Sequence, residues 1–415
     1  MEYAARDEAT SDTDAMTAAH LAWVALDGLC WLLAAAWLVQ AWLVVRGMPL
    51  LPDLTKIAGG LPKLEPGDGP DVTVAVPACN EEATIEATLR SLLASEGVRL
   101  QVIAVDDRST DATGTRMDKL AAEWQGGMHT LEVMHIRELP QGWLGKPHAM
   151  VMAAERAQAP WILFTDGDVL FAPRALELAL RQAEAVRADH LILVPTLILK
   201  SVGERAMLAA MQVLSQWTIR LWRVANPKTR DFIGVGGFNL IRREAYEKVG
   251  GFAALRMEVL DDLRLGWKVK RAGMRQHVAL GPGLVRIRWI EGALAVVRLT
   301  EKNGFAVYRY RVGLALLAAA GLALHAVLPL AALVAGGWTA LAGVLTYAAI
   351  AAVYEGNRRL TLVSAWHAAL FAPAVAVVTY AFLRSTALTL ARGGVKWRGT
   401  LYPLRELRRD AGRGW

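Results

Sequence analysis

Cysteine is nearly absent from this chain of 415 residues and charge is thin, with two Cys and 20% Asp, Glu, Lys and Arg. Cys30 in an apolar run and Cys79 in a polar stretch give no disulfide framework, which fits a reducing compartment. Charge this sparse beside 54% hydrophobic residues excludes both a disordered chain and the balance of a nucleic-acid binder. A short basic n-region is also missing. Residues 1–20 hold Arg6 against Glu2, Asp7, Glu8, Asp12 and Asp14, which argues against a cleaved signal peptide.

The apolar residues that raise the mean hydropathy to +0.29 are unevenly placed. Leu21 to Val45 is broken only by Asp27, Gly28 and Gln40. About twenty such residues, at roughly 1.5 Å each, cross a hydrocarbon core about 30 Å thick, so a retained anchor is expected. Gly313–Val334 and Trp338–Val353 form two further runs that meet at Gly336-Gly337, as in a hairpin. His367–Leu390 is a third, interrupted by Pro373 and Arg384. The chain therefore divides into an acidic tail (1–20), an anchor (21–45), an α/β domain (70–282), a basic and aromatic interfacial segment (283–312), a membrane block of two to three helices (313–390) and a basic tail (391–415).

Arg46, Lys56 and Lys63 follow the anchor, and an excess of Lys and Arg marks the cytoplasmic side. A multi-pass protein of the inner (cytoplasmic) membrane with a cytosolic α/β domain is expected. Three further crossings would carry the tail outside, yet it holds seven Lys and Arg against two acids. One of the three runs is therefore expected to lie in the interface or to re-enter, either the last run or a half of the hairpin. A transporter is the least expected class, since two to four short spans build no obvious pathway and carry few buried charges, with His325, Glu355 and His367 as the candidates. Residues 283–311 mix Trp289, Phe305, Tyr308 and Tyr310 with Arg and Lys, as in a helix lying at the bilayer surface or in a plain linker.

Between the membrane blocks, short β-branched runs alternate with helical stretches. Val72–Val76, Val102–Val105, Leu131–Ile136, Ile162–Phe164 and Leu191–Val194 predict strands. Residues 82–94, 111–124, 147–157 and 173–186 predict helices. The alternation argues for a mostly parallel sheet, whose ligands bind beyond the carboxyl ends of its strands. There the polar clusters lie. Pro77-Ala78-Cys79-Asn80-Glu81-Glu82 follows the first strand and reads equally as a helix cap. Asp106-Asp107-Arg108-Ser109-Thr110-Asp111 follows the second, where adjacent carboxylates repel unless a cation or a donor-rich ligand is near. Asp166-Gly167-Asp168 follows the fourth. Two carboxylates across one small residue can both reach a hard cation, Mg²⁺ or Mn²⁺, although the tripeptide also marks plain turns. Asp261-Asp262 sits among apolar neighbours, either opening a helix or acting as a general base with a raised pKa.

In this order the motifs resemble the family 2 glycosyltransferases, which have a GT-A fold, a Rossmann-like α/β architecture of nucleotide-diphospho-sugar transferases. The resemblance covers about residues 70–280 and the flanking membrane helices. The segment Leu139–Lys146, the Asp261-Asp262-x-x-Leu265-Gly266 run and the tail element Trp397-Arg398-Gly399-Thr400-Leu401-Tyr402 look like the hopanoid- and carotenoid-associated and ceramide glucosyltransferase-like members. The resemblance implies that Pro77, Asn80, Glu81, Asp106, Asp107, Lys146 and Asp166 bind the nucleotide sugar. It further implies that Asp166 and Asp168 hold the metal, that Asp262 (with Asp261) is the base, and that Gly236-Gly237 lies on the acceptor side. Its (Gln/Arg)-x-x-Arg-Trp motif has no well-spaced counterpart here, since Arg286-Ile287-Arg288-Trp289 comes too soon. Arg298, Lys302 and Asn303 are the nearby candidates for its diphosphate role. The implied activity is inverting transfer of a single sugar to a lipid hydroxyl, of hopanoid, carotenoid or sphingolipid type, with no nucleic-acid partner. The alternatives are a polyprenyl-phosphate glycosyltransferase and a non-catalytic membrane scaffold.

Overall fold

Burial on both faces explains why the central strands are continuous apolar runs: every residue of Leu100–Asp107 and of Trp161–Phe164 is buried. In the computed structural model, which describes residues 2–411 apart from 66 and 125, the strands in chain order are β1 (Val72–Ala78), β2 (Leu100–Asp107), β3 (Thr130–Ile136), β4 (Trp161–Phe164), β5 (Val169–Phe171), β6 (His190–Val194), β7 (Thr196–Leu197), β8 (Asn239–Arg242), β9 (Gln276–Leu280) and β10 (Val285–Ile287). Seven of them pair in the order β3-β2-β1-β4-β8-β6-β9. The sheet is parallel except at β8, which runs antiparallel to both β4 and β6. The five strands expected from sequence are all present, and the four expected helices appear as Ile85–Leu93, Thr113–Glu123, Gly145–Glu155 and Ala175–Ala185.

Register sets the site. Ala78 of β1 pairs with Asp106 of β2, so those two strands end side by side, while β4 stops at Phe164 opposite Ala75 and its following residues run on beside the end of β1. Because β8 starts at Asn239 opposite Phe164, the segment before it, Gly236-Gly237-Phe238, crosses the end of β4. The Thr165 hydroxyl fixes that crossing by donating to the Gly237 carbonyl at 2.9 Å.

Among the described residues four helical segments are long and apolar enough to cross a membrane: 18–50, Val312–Ala335, Gly337–Gly356 and 365–391. The first comprises the end of one helix, Glu2–Gly47, that also takes in most of the acidic segment, and a 3-10 turn, Met48–Leu50. The second and third turn at Gly336-Gly337, where both glycines adopt positive φ. Buried polar contacts tie the block to the domain. Gln216 donates to Asn357 Oδ1 at 2.6 Å and Asn357 donates back to Gln216 Oε1 at 3.1 Å. Trp37 sets its edge on Trp217 at 5.2 Å and on Phe371 at 5.4 Å.

The helix Phe371–Ala391, within the fourth of these segments, packs on both the anchor helix and the domain. Phe371 at its start shares Trp37 with Trp217, while Arg384 and Arg392 near its end pair with Glu301 of the helix Ala295–Val307. The chain then forms a hairpin, β11 (Gly394–Trp397) and β12 (Thr400–Pro403), packed on the domain. Two aromatics expected at the bilayer surface, Phe305 and Tyr310, are instead buried with Leu144, Val395, Tyr402 and Leu407, because the hairpin covers them. Trp289 stays exposed.

Cysteine labelling tests this arrangement. In a C30S/C79S background, K119C in the domain and R405C in the tail are expected to react with an impermeant maleimide from the same face of the membrane, and W338C from the other.

Candidate active site

Two loops at the ends of β1 and β2 brace one another. Asn80, at φ +57°, donates its backbone N–H to Ser109 Oγ at 3.0 Å and accepts the Thr110 N–H at 2.8 Å. The Glu81 N–H donates to Thr113 Oγ1 at 2.8 Å, and the Ala112 N–H to Glu82 Oε2 at 3.1 Å. Two expected nucleotide ligands are thereby used otherwise. Asn80 is exposed and spends its amide oxygen on the neighbouring loop, and Asp106 accepts from the Ser109 N–H and from His135 Nδ1 at 3.0 Å. Neither lines the cleft, whereas Pro77, Glu81 and Asp107 do. Asp107 is held in a fork by Arg108, with contacts of 2.7 and 3.1 Å.

Acidic groups surround one ammonium: Lys146 and Asp166 line the cleft, while Asp261 and Asp262 lie behind them, outside its lining. Lys146, in the first turn of Gly145–Glu155, donates to Asp166 Oδ1 at 2.5 Å and lies 4.0 Å from Asp261 Oδ2. Burial alone would pull the Lys146 pKa down. The charges of Asp166, Asp261 and Asp262 outweigh it and hold the ammonium well above its ordinary range. The same contact keeps Asp166 ionised, against the cost of its burial. Asp261 and Asp262 open the helix Asp261–Arg271, and burial first, reinforced by Asp166, pushes both carboxyls up. Asp262 accepts the Leu263 N–H at 2.7 Å, while the buried Oδ2 of Asp261 has no hydrogen-bond donor.

Gly236 is the pivot. A Cβ there would stand 2.5 Å from Asp166 Oδ2, 3.2 Å from Asp262 Oδ2 and 3.3 Å from Lys146 Nζ, so β8's approach brings three expected site residues around one backbone position. At Gly237 a Cβ would meet only the side chains of Pro195 and Val169.

Asp168 carries the mark of a cation site. Burial, then the charges of Asp166 and Glu81, push its carboxyl up to about 7. Among the described residues no group of three or more His, Cys, Asp or Glu could hold a metal ion unaided. Two carboxylates that lower their repulsion by sharing a hard cation, with a diphosphate completing the oxygen set, suit Mg²⁺ or Mn²⁺.

The cleft, about 280 Å³, has a wall that the sequence motifs do not mark. Leu299 and Lys302 come from Ala295–Val307, and Trp397, Arg398, Thr400 and Tyr402 from the tail hairpin. Lys302 Nζ rests 4.1 Å from the centre of the Trp397 ring. Of the three candidates for the missing diphosphate contact, Lys302 faces the cleft. Arg298, one helical turn before Lys302, lines a separate groove, and Asn303 lines neither.

A family model described as Glycosyl transferase family 2 matches residues 73–250. The protein MT1568 of Mycobacterium tuberculosis (strain CDC 1551 / Oshkosh), itself uncharacterized, is 33% identical over 115 residues, 28% of this chain and 33% of that protein. The match thus spans a third of that relative. Among solved structures, the mannosyltransferase PcManGT from Pyrobaculum calidifontis, in complex with GDP-Man and Mn²⁺, aligns with a TM-score of 0.49 at 20% identity, covering 88% of this chain and 98% of that one. S. aureus TarS 1-349 in complex with UDP aligns at 0.39 and 14% identity, covering 78% and 92%.

Gly236→Ala is expected to lower turnover by about 100-fold, the scale of a displacement near 1 Å at reacting groups, with an unchanged melting temperature. Gly237→Ala is expected to cost far less. Steady-state rates and thermal melts of the two variants check this.

Proposed function

We propose that this chain, whose residues 73–250 match the family model Glycosyl transferase family 2, moves a single sugar from a nucleotide-diphospho-sugar to a lipid hydroxyl at the membrane surface, with inversion. The observation that carries this reading is the gathering of Asp262, Asp166 and Lys146 around Gly236, where Lys146 and Asp166 line the cleft and Asp262 lies behind them.

In the proposed reaction Asp262 takes the proton of the acceptor hydroxyl. The hydroxyl oxygen forms the new bond to the anomeric carbon as the bond to the diphosphate oxygen breaks, and the nucleoside diphosphate leaves. Raising the Asp262 pKa by burial makes it a better base than an exposed carboxylate. Glu81 and Asp107 would hold the nucleoside, as their place beside Pro77 at the cleft mouth supports. Lys146 keeps Asp166 charged and meets the developing negative charge, an interaction that strengthens in the transition state. Asp166 and Asp168 would hold Mg²⁺ or Mn²⁺, which supplies neutralisation of the departing diphosphate.

A lipid acceptor is supported by the surroundings. Leu316, Leu317, Val334 and Trp338 expose apolar surface on the membrane helices. A groove of about 820 Å³ runs between residues 291–298 and Ala376–Arg384, beside the first turn of Ala295–Val307. That helix thus borders both the groove and the donor cleft, and the basic stretches flanking it favour a cytosolic domain at the inner membrane. Arg298 and Arg384 in the groove favour a second reading, an acceptor that is itself a phosphate, as in a polyprenyl phosphate.

Asp262→Asn is expected to cut turnover by about 10²–10⁴-fold while leaving nucleotide-sugar affinity within about twofold, measured by product formation and by calorimetry. Retention of activity would remove Asp262 as base and favour the phosphate acceptor, which needs no deprotonation. Asp168→Ala is expected to abolish the gain in nucleotide affinity on adding Mn²⁺, and an unchanged metal titration would show that Asp168 holds no metal.

A further inference from the structure

The tail hairpin places an arginine in the donor cleft at a conformational cost. The turn joining β11 and β12 has Arg398 at φ +47° and Gly399 at φ +83°, both in the left-handed region that a two-residue hairpin turn demands. Glycine or asparagine suits the first of these positions, and arginine there is strained. The strain coincides with a directed side chain. Arg398 crosses into the cleft and donates to Glu81 Oε1 at 2.5 Å, a contact between residues 317 positions apart.

The hairpin itself is firmly seated. Val395, Tyr402, Leu404 and Leu407 are buried with Leu144, Met257 and Phe305, and the Leu404 N–H donates to the Gly393 carbonyl at 2.9 Å. Its tip is thus held over the ends of β1 and β4 by packing that does not involve Arg398.

Charge accounting in the cleft singles out this residue. Lys146 is engaged by Asp166 and Arg108 by Asp107. Of the remaining cations, Lys302 lies over Trp397, and Arg398 has Glu81 as its ion-pair partner. A planar guanidinium offers a fork of N–H donors that matches phosphate oxygens two at a time. Glu81 belongs to the loop after β1, on the side of the cleft where the nucleoside is placed.

We propose that Arg398 is a ligand of the donor's diphosphate, delivered by the C-terminal hairpin and parked on Glu81 until the nucleotide enters. The inference rests on the nucleotide-sugar reading of the cleft. On donor binding Glu81 turns to the nucleoside and Arg398 to the β-phosphate, so the tail takes the place of the absent Arg-Trp element. Lys302, 4.1 Å from the centre of the neighbouring Trp397 ring, adds a second positive charge on the same side of the cleft.

The test is calorimetry on the full-length protein in nanodiscs with UDP, GDP, UMP and GMP, Mn²⁺ being present throughout. The wild-type protein is expected to prefer one diphosphate over its monophosphate. Arg398→Gln should reduce diphosphate affinity by about 10–100-fold, the worth of a charge-assisted contact, and leave monophosphate affinity within about twofold. Arg398→Lys, which keeps the charge and loses the fork, should fall between, and unchanged melting of both variants shows that the hairpin still packs. If Arg398→Gln keeps the diphosphate preference, or weakens both ligands alike, the assignment is wrong although the cleft binds nucleotide. If the wild-type protein binds none of the four, the nucleotide reading itself fails and takes this inference with it.

Discussion

The ammonium of Lys146, set among Asp166, Asp261 and Asp262, is the contact from which the rest of the site follows. Carboxylates gathered in a half-buried cleft repel one another, and each pays desolvation to remain charged. Lys146 offsets that cost for Asp166 while leaving Asp261 and Asp262 raised, so the same cation divides the carboxylates into one kept ionised and two kept basic. Asp168, which Lys146 offsets too little, stays near neutrality and suits a second cation.

That balance needs backbone precision. Lys146 stands at the start of a helix whose Gly145 leaves room for the Asp107 carboxylate, and Asp166 follows the end of β4. Asp262 comes from a helix that opens only after β8 has crossed back. The single antiparallel strand in an otherwise parallel neighbourhood brings Gly236 past the end of β4, where Asp166 and Asp262 both approach it.

Much of this was legible in the sequence. The strands from Val72 to Val194 and the helices between them follow from β-branched runs and amphipathic spacing, because those signals are local. β8 was not, since four residues show neither a period nor a direction. The motif residues divided by what their side chains do once folded. Glu81, Asp107, Lys146, Asp166 and Asp168 line the cleft, whereas Asn80 and Asp106 are consumed in bracing loops, a distinction that residue type alone does not carry. The tail was readable as a patterned, basic, aromatic stretch but its place over the cleft was not. The contact between Arg398 and Glu81 depends on how the membrane helices return the chain. Pro373 and Arg384 interrupted the last apolar run for a reason visible only in three dimensions: Arg384 meets Glu301, and the helix ends beside the domain it started from.

The helix Ala295–Val307 joins the domain to the membrane block, bordering the polar cleft through Leu299 and Lys302 and a largely apolar groove through Ala295, Val297 and Arg298. The most direct measurement is incubation of membranes containing the protein with a panel of radiolabelled nucleotide sugars and Mn²⁺, followed by separation of the lipid extract. One donor should leave its label in a lipid whose sugar linkage is inverted relative to the donor. Label that remains wholly in the aqueous phase for every donor, with membranes that contain folded protein, would contradict transfer to a lipid.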